Sequence, residues 1–111
     1  MPDLPIALEQ AEGFEWDEGN LFKGWERHRV RFSECEEVFI GSRPLVAAPA
    51  RNAGGEERLA ALGRTDAGRL LCVVFTLRGA RIRVISARDA SRKERKEYPR
   101  GREAEADPQV P

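Results

Sequence analysis

Histidine is almost missing from this 111-residue chain, which has a single one, His28, together with two cysteines, one tyrosine and two tryptophans. Each scarcity excludes something. A structural zinc site needs clustered thiolate and imidazole ligands, and here there is no CxxC spacing and no second histidine. Cys35 falls in a helical pattern and Cys72 in a strand pattern, so both are expected to pack as small apolar side chains, with no disulfide, metal or other cofactor. No apolar run approaches the roughly 20 residues of a membrane span. Neither end shows the charged start, apolar run and small-residue cleavage site of a signal peptide. The expectation is one cytoplasmic domain without membrane contact, since this length supports a single core.

Net charge is also missing, but the zero conceals segregation. Residues 1–40 hold ten acids against four bases, residues 41–102 six acids against fifteen bases, and residues 103–111 three acids. Sixteen of the nineteen basic residues are arginine, whose planar fork suits bidentate phosphate contacts. That composition permits a nucleic-acid surface without requiring one.

Two adjoining hairpins between Gly63 and Arg88 are the most informative stretch. Leu70–Leu77 is an unbroken apolar run between Asp66-Ala67-Gly68 and Arg78-Gly79, the pattern of a central strand between tight turns. A two-residue Arg78-Gly79 loop would set Leu77 opposite Ala80, Phe75 opposite Ile82, Val73 opposite Val84 and Arg69 opposite Arg88. A four-residue loop, Thr65–Gly68, would set Arg64 opposite Arg69. Arg64, Arg69 and Arg88 then form a row across three strands, which is destabilising unless carboxylates or a polyanion answer it. A loop one residue longer or shorter would move the first strand's set to the opposite face. In this register Arg58 shares the face of the row but lies about 20 Å from Arg64. Arg83 falls on the other face unless the strand is bulged.

Around the hairpins the pattern predicts an α+β fold: a small antiparallel sheet of about four strands, two N-terminal helices and one C-terminal helix, with helices covering one face. Residues 1–13 read as a flexible leader, 14–99 as the domain and 100–111 as a disordered tail. Phe14-Glu15-Trp16 is a short strand. Asp17 is an N-cap for a helix to about His28, with Leu21, Phe22 and Trp25 as its buried stripe. Gly24 within it requires compensation by packing or a close backbone approach. Ser33 with Glu36 makes a capping box for a helix to about Phe39 with Cys35, Val38 and Phe39 inward, ended by Gly41. Leu45–Ala48 is a strand stopped by Pro49, and Glu57–Arg64 another after an Arg51–Gly55 loop. Ser91 with Glu94 makes a second box for a helix closed by Pro99.

Phe14-Glu15-Trp16-Asp17, Arg27-His28, Glu36-Glu37-Val38-Phe39, Leu62-Gly63-Arg64-Thr65, Val73-Val74-Phe75-Thr76, Ser86-Ala87-Arg88 and Arg92-Lys93-Glu94-Arg95 with Tyr98, in that order and spacing, resemble the BrnT family of toxins. The resemblance runs from Phe14 to Tyr98. It implies a type II toxin-antitoxin system, a RelE-like fold, RNA cleavage that halts translation, and a ribbon-helix-helix antitoxin as partner. The chain departs from the family at His28-Arg29, where His-Gly is common, and at Gly24, where asparagine is common. It departs again in the Ala50-Arg51-Asn52-Ala53 loop, which usually holds an acid and a histidine.

Metal-independent RNA cleavage by 2′-hydroxyl attack builds charge on a phosphorane that arginines stabilise, and needs proton transfer at two oxygens. Arg64 and Arg88 are the candidates for the reacting phosphate, and His28 is the sole conventional acid or base, unless it caps its helix. Arg69, Arg83, Arg58 and Tyr98 are candidate RNA contacts, with core packing the competing role for Tyr98. Two other readings remain open. One is a non-catalytic toxin-fold module that binds a DNA-binding antitoxin-like partner in transcriptional control. The other is a domain that binds nucleic acid nonspecifically, with strong salt dependence.

Overall fold

The apolar run becomes the middle of a five-stranded sheet. In the computed structural model, which describes residues 11–40, 44–47 and 58–105, the elements are β1 (Gly13–Phe14), α1 (Lys23–His28), α2 (Phe32–Ile40), β2 (Leu45–Ala47), β3 (Leu59–Arg64), β4 (Leu70–Arg78), β5 (Arg81–Asp89) and α3 (Arg92–Glu105). The strand order is β1-β5-β4-β3-β2. All pairs are antiparallel except β1, which runs parallel to β5 through Gly13 opposite Arg81 and Phe14 opposite Ile82. The sheet is thus mixed and has one more strand than expected.

Helices cover both faces, not one. Leu71, Val73 and Phe75 of β4 point with Ile82, Val84 and Ala87 of β5 toward α1 and α2, where Val30, Cys35 and Val38 close the main core. Phe39 meets Phe75 edge-on at 5.0 Å and Phe14 at 5.7 Å. On the opposite face Leu70, Ala90 and Tyr98 pack with Leu45 and Leu62, so α3 lies against β2 and β3. A strand buried on both faces has to be apolar at every position, which is why β4 shows no alternation.

Both hairpin registers differ from expectation. Arg78 pairs with Arg81, so the two-residue loop is Gly79-Ala80. Gly79 has φ +60° and Ala80 does not share that sign, the type II′ arrangement with glycine first. An Arg78-Gly79 loop of type I′ would force positive φ on an arginine. A bulge between Val74 and Phe75 then shifts the pairing, leaving Val73 opposite Ala87 and Cys72 opposite Arg88. At the other hairpin Arg64 pairs with Leu70, so the loop is Thr65–Arg69. Thr65 closes it: its amide donates to the Arg69 carbonyl at 2.9 Å, and its hydroxyl accepts the Arg69 amide at 3.0 Å.

The helix starts differ as well. Asp17 does not cap a helix; its carboxylate accepts the Gly19 amide at 2.8 Å in a local turn, and α1 begins only at Lys23. Buried Asn20 anchors this turn, donating to the carbonyls of Glu15 (3.0 Å) and Val84 (2.8 Å). Phe22 and Trp25, expected in the core, are 59% and 40% exposed. Gly24 is explained by a close approach, since a Cβ there would sit 2.9 Å from the Val30 carbonyl oxygen. The Ser33–Glu36 box does not form. Glu34 instead accepts the Arg31 amide at 3.0 Å to open α2 two residues earlier, and Glu36 accepts the Trp16 indole N–H at 2.8 Å. The Ser91–Glu94 box does form, at 2.8 and 3.2 Å. Its helix runs through Pro99 to Glu105, at the loss of the backbone bond that proline cannot donate. Gly41, Pro49, the Arg51–Gly55 loop, residues 1–10 of the expected leader and residues 106–111 lie outside the described residues.

Candidate nucleic-acid interface

The three-arginine row is split by the registers. Arg64 lies on the face of Leu62, Leu70 and Cys72, and the bulge puts Arg88, opposite Cys72, on that same face. Two strand spacings across and two residues along, their Cα atoms are about 12 Å apart. The bulge also turns Arg83, opposite Thr76, onto this face, the condition under which it could share a surface with Arg88. Arg69 points to the other side, so neither of its expected pairings with Arg64 and Arg88 occurs.

Arg69 is saturated by protein acceptors. Nε donates to Asp89 Oδ1 at 2.7 Å and Nη2 to Oδ2 at 3.1 Å. Nη1 reaches the Arg29 carbonyl at 2.8 Å and the Glu34 carboxylate at 3.3 Å, and Nη2 the His28 carbonyl at 3.2 Å. It therefore caps the C-terminus of α1, where unsatisfied carbonyls favour a cation, and ties that end to α2 and β5. The Arg69 hydrogen bond holds the Asp89 carboxyl below the usual carboxylate range.

Arg88 is held by one carboxylate. Its Nη1 and Nη2 donate to Glu94 at 2.7 and 3.0 Å, and Nη1 also to the Asp89 carbonyl at 3.1 Å. Glu94 serves at the same time in the capping box of α3. The Arg88 fork above all, with the Ser91 amide and hydroxyl, pulls its pKa down to about 2. Arg83 is clasped more tightly, by Glu15 at 2.9 Å and by both oxygens of Asp17 at 2.9 and 3.1 Å, with Arg78 also on Glu15 at 3.1 Å. Arg58 is half-buried on the same face at the far end of β3.

Arg64 is different. Its Nη1 donates to the Gly68 carbonyl at 2.8 Å, and its Cζ stands 5.5 Å from the centre of the Tyr98 ring. Among the described residues no carboxylate pairs with it, and it is exposed. Tyr98 itself is 8% exposed, part of the second core and a platform beneath the guanidinium. His28 is exposed in the last turn of α1, on the helix side of the sheet. Burial pushes the Cys35 thiol up to about 12 and the Cys72 thiol to about 11, so neither is a nucleophile at neutral pH. Among the described residues no group of three His, Cys, Asp or Glu is placed to hold a metal ion.

The structure thus brings Arg64, Arg88 and Tyr98 together at one end of a face, puts Arg83 and Arg58 farther along it, and takes Arg69 and His28 to the opposite side. Sequence reasoning missed three of the acids that answer these arginines: Glu15, Asp17 and Glu34. They lie 35 to 68 residues from their partners, with no local signal. Glu94 was legible, though only as a cap.

A family model described as ribonuclease toxin, BrnT, of type II toxin-antitoxin system matches residues 16–94. A crystal structure of the Brucella abortus ribonuclease toxin BrnT is similar in fold, with a TM-score of 0.51 and 23% identity over 72% of this chain and 97% of that one. No curated protein matches.

Proposed function

Because this chain belongs to the family of BrnT ribonuclease toxins of type II toxin-antitoxin systems, we propose that it cleaves RNA at the end of the sheet where Arg64 and Arg88 share a face. The cut is metal-independent, halts translation in the cytoplasm, and is restrained by an antitoxin of ribbon-helix-helix type. The fold, on this reading, is a variant of the RelE-like one.

One observation carries the proposal: an exposed arginine without a carboxylate partner among the described residues, seated on a tyrosine ring beside a second arginine on the same face. When a 2′-hydroxyl attacks the adjacent phosphorus, negative charge accumulates on the non-bridging oxygens. A guanidinium already in place lowers that barrier and raises the rate by roughly 10²-fold for one well-aimed donor. Arg64 fills this role. Arg88 joins once the phosphate displaces Glu94, and His28 moves protons if the RNA wraps the sheet end toward α1. The products are a 2′,3′-cyclic phosphate and a 5′-hydroxyl.

The test is cleavage of a defined RNA by purified protein in EDTA, with end-group analysis. Intact RNA beside folded protein, or cleavage that returns only with added magnesium, overturns the reading. The non-catalytic module gains support from the carboxylates that neutralise Arg69, Arg83 and Arg88. It predicts antitoxin binding with intact RNA.

A further inference from the structure

The aromatic residues that α1 was expected to bury are the ones the fold leaves in solvent. Phe22 is 59% exposed, Trp25 40% and Phe32, at the start of α2, 42%. Cations attend them: Arg29 Cζ stands 5.0 Å and Arg31 Cζ 5.5 Å from the centre of the Trp25 ring. Lys23 and Arg27 lie on the same helix, and Glu26 is the one acid between residues 21 and 31. None of these four cations pairs with a carboxylate among the described residues. That contrasts with Arg69, Arg83 and Arg88, all answered internally.

Beside the patch, between α1 and β5, a shallow solvent-open cleft is lined by Leu21, Gly24, Val30, Phe32, Cys35 and Ile85 among others. We propose that this surface docks a protein partner: an acidic segment that lays apolar side chains against Phe22, Phe32 and the mouth of the cleft and carboxylates on Arg29 and Arg31. Exposed aromatics flanked by arginine are the composition of binding hot spots. RNA fits less well, because the guanidinium groups already occupy the Trp25 ring and the cleft walls are mostly apolar. The identification of that partner as the antitoxin rests on the family reading above; the surface itself does not.

The test uses the full chain and a synthetic amphipathic peptide about 18 residues long, enough for a marginal helix, with leucines at helical spacing and flanking glutamates. Controls are a peptide of the same composition in scrambled order and a 2′-O-methyl oligonucleotide. The patterned peptide is expected to bind and shift tryptophan emission, and Phe22→Ser to weaken binding about 10-fold or more. Arg31→Glu is expected to weaken it similarly and to be rescued by a lysine-flanked peptide, with circular dichroism showing both variants folded. Phe22→Ser should leave RNA cleavage unchanged, so loss of docking and loss of catalysis read out separately. Equal binding of the scrambled peptide, absent charge-swap rescue, or preference for the oligonucleotide overturns the proposal. So does protection of Trp25 by self-association, or its exposure on removing residues 1–10.

Discussion

Arg64 enters the Thr65–Arg69 loop and Arg69 leaves it, yet their guanidinium groups lie on opposite faces of the sheet and do opposite work. Arg69 spends its donors on two helix-end carbonyls and two carboxylates. Arg64 has one carbonyl and one aromatic ring, and the rest of its fork faces solvent. The first is structural in the strict sense that it leaves nothing for a ligand. The second retains its capacity to bind an anion. Type and charge are equal, so register and partners alone make the difference.

The sharpest way to break the comparison is to remove each arginine. Arg64→Ala is expected to lower RNA cleavage by about 10²-fold with little change in melting temperature. Arg69→Ala is expected to cost about 2 kcal/mol, because it leaves carbonyls at the end of α1 and the Asp89 and Glu34 carboxylates without their partner. For a domain of this size that is a fall of roughly 10 °C. Measured together by gel cleavage and thermal melts, the two effects should fall on different axes. If Arg69→Ala abolishes cleavage at unchanged stability, the division between them is wrong.

Arg88 stands between these extremes, on the face of Arg64 but answered by Glu94. Glu94 titrates near 2 in the fold against an ordinary 4.5, through its hydrogen bond to Arg88 first and the Ser91 cap second. A depressed folded pKa means its contribution is fully present above about 4.5 and is lost as pH falls toward about 2. Its ceiling is about 3 kcal/mol, less after solvent screening at a side chain 21% exposed. Acid melts should therefore show a loss of stability in that window that Glu94→Gln removes. The same variant frees Arg88 and is expected to tighten RNA binding several-fold. An unchanged affinity would place Arg88 with Arg69, as structure.

The elements were mostly legible in the sequence; the faces were not. β4 announced itself by eight consecutive apolar or β-branched residues, and Ser91 with Glu94 announced α3. What failed was counting across turns. The Thr65 hydroxyl, not the preceding arginine pair, closes its loop, and that one-residue change sends Arg64 and Arg69 to opposite sides. Gly79 takes the first position of its turn, and the bulge at Val74/Phe75 flips the remainder of β5. With period two, the extra loop residue and the bulge each invert every side chain beyond them, whereas moving the Gly79 turn by one residue slides the pairing by two and keeps the faces. Three carboxylate partners were illegible for a different reason. Glu15 and Asp17 come from the β1 turn and Glu34 from α2, and only the finished sheet brings them near the arginines.

The smallest expected effect concerns the residue that presents α1 to Arg69. Arg29 has φ +55°, the left-handed conformation, and is the one described non-glycine residue with positive φ. Its amide and that of Val30 return to the carbonyls of Trp25 and Gly24, closing the helix, while its own carbonyl and that of His28 turn outward to Arg69. The geometry calls for glycine, which takes this conformation without the Cβ penalty, and the BrnT pattern commonly has it there. Arg29→Gly is therefore expected to stabilise the fold by about 1 kcal/mol, less whatever the cation-π contact with Trp25 contributes, with RNA cleavage unchanged. A destabilised variant would mean that the guanidinium over Trp25 outweighs the backbone strain, so that this arginine too belongs with Arg69.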